Sequence, residues 1–314
     1  MAKGGSVAGV VQAPKQAKRG WFSVPRNRKD AVWFLALAVP NLVLIGLFTY
    51  RPLIMNIKFS TLNWTLGSPS AIPIGIDNYV RWFTSGDASV VLTTTAIFAI
   101  STVGGSMILG LLVALALNQK VRGTTAARAT VFAPYVLSGV GVGLVWLFIF
   151  DPVYGLLAWI LRSVGVTSPR WFNDPNLSLA MVIIVYVWKN LGYCAVVYLA
   201  GLQGMNPDLI EAAQLDGAGP VKRFFHLTLP LLSPTTFFLT ITTILSSLQA
   251  FDIIKIMTPT STGTRVLIYE AYVQGFLAYQ RAGYSAAISV ILFVILLVLT
   301  VVQIVVAERR VHYA

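Results

Sequence analysis

Between Ala31 and Tyr50 the chain places about twenty consecutive residues without a charge, and sparsely charged apolar runs of similar length recur at about 90–117, 131–150, 179–202, 235–257 and 284–306. A bilayer core about 30 Å thick takes roughly twenty residues of helix at 1.5 Å rise each. Inside it every backbone N–H and C=O must be satisfied without water, so such runs share one solution, the transmembrane α-helix. The predicted fold class is all-α: a polytopic membrane protein with about six transmembrane helices. Composition agrees, with a mean hydropathy of +0.75 and 11% charged residues, where a soluble domain carries about a quarter. The first run is too long for a signal-peptide core and ends in Thr49-Tyr50-Arg51-Pro52 rather than at a small-residue cleavage site, so it is expected to stay in the membrane.

A net charge of +12 raises the question of nucleic acid. Much of that charge sits in the first thirty residues, at Lys3, Lys15, Lys18, Arg19, Arg26, Arg28 and Lys29, among Gly, Ala and Ser. Residues 1–30 read as a basic disordered cytoplasmic tail against the anionic headgroups of the lipid bilayer, and residues 31–314 as the transmembrane domain. No base-reading module follows, so no nucleic acid partner is expected. Six crossings put both termini on one side. Lys120, Arg122 and Arg128, in a short loop without an acid, mark that side as cytoplasmic. The segment Gly155 to Leu161 is too short to cross and is expected at the interface with Trp159 and Trp171, and the outer loop 51–89 is long enough for a small cap with turns at Gly67-Ser68-Pro69 and Gly75. Cys194 is the sole cysteine and reads as a small buried hydrophobe.

The most informative loop lies between the fourth and fifth runs, about 203–233, where residues 206–234 read NPDLIEAAQLDGAGPVKRFFHLTLPLLSP. Asn206 is a suitable N-cap, Pro207 a suitable first helical residue, and Asp208 sits near the positive end of the helix dipole. A helix of about ten residues is expected to end at Asp216, with Gly217 supplying the left-handed turn. Pro220 then restarts a short helix, and Pro230 closes it before the next span. The second helix carries Val221, Phe224, Phe225 and Leu227, an apolar surface that calls either for packing on the bundle or for a partner.

Glu211-Ala212-Ala213, Asp216-Gly217-Ala218 and Leu229-Pro230 reproduce the spacing of the EAA motif. In this the chain resembles the permease subunits of ATP-binding-cassette importers, with Leu227 standing where the family usually has Ile. In that family the elbow is the coupling helix that docks into a cytoplasmic ATPase. The resemblance therefore implies that Glu211, Ala212, Ala213, Asp216 and Gly217 form an ATPase-coupling surface whose motion switches the cavity between outward and inward access. Arg51-Pro52 with Phe59-Ser60, residues 75–79 (GIDNY), residues 110–118 (GLLVALALN), Arg128 with Phe132-Ala133-Pro134, and Phe251-Asp252 are similar to landmarks of the carbohydrate-uptake subgroup. Residues 267–272 (LIYEAY), Gln274-Gly275-Phe276 and Val301-Val302-Gln303 resemble the A permease of Ugp-type importers of glycerol-3-phosphate and glycerophosphodiesters, whereas Thr258 to Gly263 departs from the usual Gly-Gly-Pro. The resemblance implies a bacterial inner-membrane location, a second permease subunit, two cytoplasmic ATPase subunits and an extracytoplasmic solute-binding protein. It implies no catalytic residue and no cofactor on this chain, with ATP and magnesium on the partner ATPase.

Intramembrane charge is expensive, and such residues are candidates for function. Lys189 lies near the centre of the fourth run beside Trp188, Asn190 and Tyr193, while Gln249 and Asp252 lie toward the outer part of the fifth. A lysine with aromatic and amide neighbours suits a phosphate or polyol. Equally, Lys189 can pair with Asp252 or with a backbone carbonyl to hold the bundle. The expected solute is a glycerophosphodiester or glycerol-3-phosphate, the alternative a di- or oligosaccharide. No G-x-x-x-x-G-K-[ST] spacing occurs, so energy must come from another chain, and His226 and His312 alone offer no metal cluster. An ion-gradient-driven transporter would need acidic residues at midplane, where the fourth and fifth runs offer only Lys189, Lys255 and Asp252. An intramembrane protease would need a nucleophile–base pair or facing aspartates at depth, and no such pair is present.

Overall fold

The computed structural model describes residues 25–119, 123–259, 261–277 and 280–307. The basic tail up to residue 24, Lys120 and Arg122 of the expected inner loop, Thr260, and the C-terminal stretch with His312 and Tyr313 lie outside the described residues. The chain divides into two compact units, Met1–Met55 and Asn56–Ala314. Helix α1 (Pro25–Ile45) continues through a π-helical turn at Gly46–Tyr50 into α2 (Arg51–Ser60). Helix therefore persists past Tyr50, where the first run was expected to end, as far as Ser60. Pro52 lacks the N–H of an ordinary helical turn and its ring crowds the carbonyl four residues back. The wider turn, in which the Arg51 N–H reaches the Gly46 carbonyl, lets the helix pass this proline.

A two-stranded antiparallel hairpin of β1 (Leu62–Asn63) and β2 (Ile72–Pro73) follows, then α3 (Asp77–Thr84). This small cap is tied down by the amide of buried Asn78, which donates to the carbonyls of Ser60 (2.9 Å) and Leu62 (3.0 Å). Buried Trp82 seats α3 on the body, and the Arg81 guanidinium stands 5.7 Å from the Tyr284 ring.

The long helix α4 (Asp87–Leu117) inverts the pattern of a soluble helix. Its small and polar residues, Thr102, Ser106, Gly110 and Ala114, face inward, while Ile100, Ile108 and Leu112 are exposed. In lipid an outward apolar face carries no penalty, and small residues let helices approach closely. A Cβ at Gly110 would stand 2.5 Å from the Cys194 Cβ, so the close approach of α4 to the later helix that carries Cys194 depends on that glycine, and Cys194 is the buried packing residue expected.

The third run is where expectation and structure part. It forms α5 (Thr124–Val136) and α6 (Gly139–Ile149), bent by 98°. Pro134 interrupts the hydrogen-bond ladder, and Leu137 and Ser138 then take extended backbone, with ψ of 145° and 135°. The chain continues through the short surface helix α7 (Leu156–Ser163) into α8 (Pro175–Gln203), whose N-cap Asp174 accepts from the backbone N–H groups of Asn176 and Leu177.

The elbow comprises α9 (Pro207–Leu215), α10 (Pro220–Arg223), a π-helical turn at Phe224–Thr228 and α11 (Leu229–Leu231), followed by α12 (Ser233–Leu248). Pro230 does not close the helix as expected. The turn before it reaches from the Leu229 N–H to the Phe224 carbonyl and carries helical backbone past the proline, as before Pro52. The fifth run is also interrupted: α12 ends at Leu248 and α13 (Asp252–Met257) begins after the non-helical residues Ala250 and Phe251. Buried α14 (Leu267–Tyr272) and the last span α15 (Ala282–Ala307) complete the chain. Among the described residues five helical segments are long and apolar enough to cross a bilayer, and the bent α5–α6 pair makes six if counted as one span.

Candidate functional site

The two interruptions meet around one cavity. It has a volume of about 460 Å³ and is lined by Tyr135 and Gly139 from the α5–α6 bend, by Tyr186, Lys189 and Asn190 from α8, and by Ser246 and residues 249–253 across the α12–α13 break. Irregular backbone at membrane depth is tolerated where it lines a cavity, because freed N–H and C=O groups can be met there by water or by polar side chains. Lys189 provides one such partner. Its Nζ donates to the Tyr135 carbonyl at 2.8 Å, at the C-terminal end of α5, where the helix dipole favours a cation. The same ammonium stands 5.3 Å from the Tyr135 ring.

Asp252 lies on the opposite end of the bend. Its carboxylate packs against Gly139, the first residue of α6, where a Cβ would come within 3.2 Å of Oδ2. Among the described residues the ion pairs are those of Arg265, so Lys189 and Asp252 share the cavity without pairing to each other. Of the two structural roles open to Lys189, the backbone carbonyl is the one occupied.

The remaining residues singled out from sequence divide in two. Asn190 and Gln249 are on the cavity wall. Asn190 is buried and donates to the Tyr186 carbonyl at 2.8 Å, and the Tyr186 hydroxyl donates to the Ser246 carbonyl at 2.6 Å, which joins α8 to α12. Trp188 and Tyr193 are not on the wall. Trp188 meets Trp146 edge-on at 5.3 Å within the apolar core. Tyr193 stacks on Tyr135 at 4.8 Å and donates to Thr242 at 3.3 Å, so it backs the wall from behind. Tyr135 and Gly139 escaped the sequence reading because the third run looked continuous; Pro134 was the available signal.

Glu270 was missed too, since residues 258–283 read as an outer loop. It is 1% exposed, takes two bonds from Arg265 at 2.6 and 2.7 Å, and accepts from the Gln274 amide at 2.7 Å. Arg265 also stands 3.7 Å from Asp87 at the start of α4. This clasp fixes α14, whose Tyr272 meets the cavity residue Phe251 at 4.9 Å. An acid inside the apolar sequence LIYEAY was the clue.

The elbow is a separate surface. Asn206 caps α9 by accepting from the Asp208 N–H at 3.0 Å, and the Gly217 φ of +74° ends it in the left-handed region expected. Glu211, Ala212, Asp216 and Gly217 are exposed and Ala213 half-buried. Leu215 is 89% exposed, Val221 69% and Phe225 58%, whereas Phe224 and Leu227 are half-buried, so the elbow turns part of its apolar surface outward.

Residues 106–312 match the family model described as binding-protein-dependent transport system inner membrane component. The chain is 35% identical over 282 residues to the sn-glycerol-3-phosphate transport system permease protein UgpA of Agrobacterium fabrum, covering 88% of this chain and 95% of that protein. It is 33% identical over 280 residues to the protein of the same name from Rhizobium meliloti, with 88% and 95% covered. A chain in the crystal structure of a bacterial transporter that imports the acidic polysaccharide alginate superposes with a TM-score of 0.79 at 23% identity, covering 90% of this chain and 98% of that one.

Proposed function

The chain belongs to the family of binding-protein-dependent transport system inner membrane components, the permeases of ATP-binding-cassette importers, and from that premise we propose that it forms half of a translocation pathway for sn-glycerol 3-phosphate or a glycerophosphodiester. The observation that carries the solute class is the cavity at the two helix breaks, where Lys189 offers a cation beside Tyr135, Asn190 and Gln249. A phosphate oxygen would accept from the ammonium and the amides. The polyol hydroxyls would meet Asn190, Gln249 and Ser246. Relatives that carry the name of a glycerol-phosphate permease support the same class.

Coupling follows from the elbow. A neighbouring ATPase subunit would seat the exposed side chains of Leu215, Val221 and Phe225, while Glu211 meets basic groups of that partner and Ala212 and Ala213 permit close approach. Asp216 and Gly217 set the bend that passes movement to α8 and α12. In this reading the complex contains a second permease subunit, two cytoplasmic ATPase subunits and an extracytoplasmic receptor. Both termini and the elbow face the cytoplasm, and no step of ATP hydrolysis uses a residue of this chain.

The test is uptake into vesicles that hold the complete complex, with receptor outside and ATP inside. Phosphate-bearing solutes should enter only with ATP and receptor, and entry should survive collapse of proton and sodium gradients. Uptake driven by an ion gradient without nucleotide would refute the coupling. Entry of neutral di- or oligosaccharides with exclusion of the phosphate compounds would refute the solute class.

A further inference from the structure

The span Ser233–Met257 contains two charged residues, and the cavity takes in only Asp252. Lys255, one turn further along α13, is half-buried and lies off that wall. Its ammonium stands 4.7 Å from the centre of the Tyr272 ring and 5.5 Å from that of Phe251. Among the described residues no carboxylate pairs with it. Glu270 of α14 is already held by Arg265 and Gln274, and Asp252, a neighbour three residues back on the helix, turns to Gly139 instead.

Ring faces attract a cation and fix its position, yet they leave its charge uncompensated. A partly buried ammonium is normally matched by an anion, and here the described residues supply none. The place is telling. Phe251 is at once a wall of the cavity and one of the two rings that hold Lys255. The rings continue from Phe251 to Tyr272 at 4.9 Å and from Tyr272 to Phe276 at 5.6 Å, an apolar surface suited to the C–H faces of a polyol.

We propose that Lys255, with Phe251 and Tyr272, is an anion-recognition subsite beside the Lys189 cavity, which takes the phosphate of a phosphate-bearing polyol while the carbon skeleton lies on the rings. The pathway then offers such a solute two successive cations separated by the Phe251 ring. The subsite rests on the solute class proposed above, and it adds a residue that decides between anionic and neutral cargo.

Equilibrium binding of radiolabelled sn-glycerol 3-phosphate to the complete complex, trapped with a non-hydrolysable nucleotide in phosphatidylcholine nanodiscs, tests it. Lys255→Gln should raise Kd about tenfold and flatten its dependence on ionic strength, and Lys255→Arg should stay within about twofold of the parent. Lys255→Met, which keeps the packing volume, should behave as the Gln variant does, so a folding defect of one variant does not decide the result. An unchanged Kd in the Gln and Met variants overturns the subsite and leaves the transport reading standing. That includes the case in which only retention of anionic lipid changes, which would give the cation to a headgroup. A parent complex that binds maltose but no phosphate-bearing polyol overturns the solute class and the subsite together.

Discussion

Lys189 spends its hydrogen bond on the Tyr135 carbonyl, and this makes its substitution informative in a way that a purely solvated lysine would not be. Replacing it by Met keeps the stem against the Tyr135 ring and removes the charge. Uptake of a phosphate-bearing solute by the assembled complex is expected to fall about tenfold or more, the loss of one charge-assisted hydrogen bond. Undiminished uptake and affinity would remove Lys189 from the solute path and leave it as the cap of α5. Glu270 makes a contrasting case, because its carboxylate touches only Arg265 and Gln274 among the bonds seen here. Glu270→Ala leaves buried polar groups without their acid and is expected to cost about 3–5 kcal/mol of stability. The midpoint of thermal unfolding of the purified chain should drop accordingly, and a change confined to transport with normal unfolding would contradict the clasp as a structural element. The difference between the two residues was partly readable in sequence. Lys189 is a charge in an apolar run and Glu270 an acid in a short apolar stretch between two runs, but which partner satisfies each depends on contacts 54 residues away for Lys189 and 5 for Glu270.

Helical backbone passes Pro52 and Pro230 with a π-helical turn immediately before each, and it passes Pro40 inside α1 without one. Pro134 has no such turn before it in α5 and is followed by the 98° bend. That bend supplies the cavity, so an element that reads as one span works as two half-helices with a polar gap between them. The elbow obeys a different logic. Its end at Gly217 depends on a φ of +74°, which a side chain resists at a cost of about 1–2 kcal/mol. Gly217→Val is therefore expected to distort the elbow while sparing the membrane helices. ATPase activity should lose its dependence on receptor and solute, with helical content by circular dichroism unchanged. Leu215→Asp, at the most exposed apolar residue of the elbow, should weaken retention of the ATPase subunit in a pull-down of the purified complex. Persistent tight coupling in both variants would argue that a different surface carries the motor.

For the whole molecule, the orientation proposed places the elbow and both termini in the cytoplasm. With Cys194 replaced by Ala, a cysteine introduced at Leu215 should react with a membrane-impermeant maleimide in inside-out vesicles and resist it in intact spheroplasts. The reverse pattern would invert the topology and remove the elbow from reach of any cytoplasmic ATPase. The apolar runs by themselves determined the class of fold, since unpaired backbone in lipid leaves helices as the one solution for runs of that length. The local signals Asn206-Pro207, Gly217 and Pro220 likewise determined the elbow, because caps and turns are made by residues close in sequence. Tertiary structure alone decided that the third and fifth runs break opposite one another, that Trp188 and Tyr193 stand behind the wall while Tyr135 and Gly139 form it, and that Glu270 is an interior residue. Those outcomes depend on which carbonyls, rings and charges of distant segments meet across a shared space, and a one-dimensional pattern of hydropathy carries no record of those meetings.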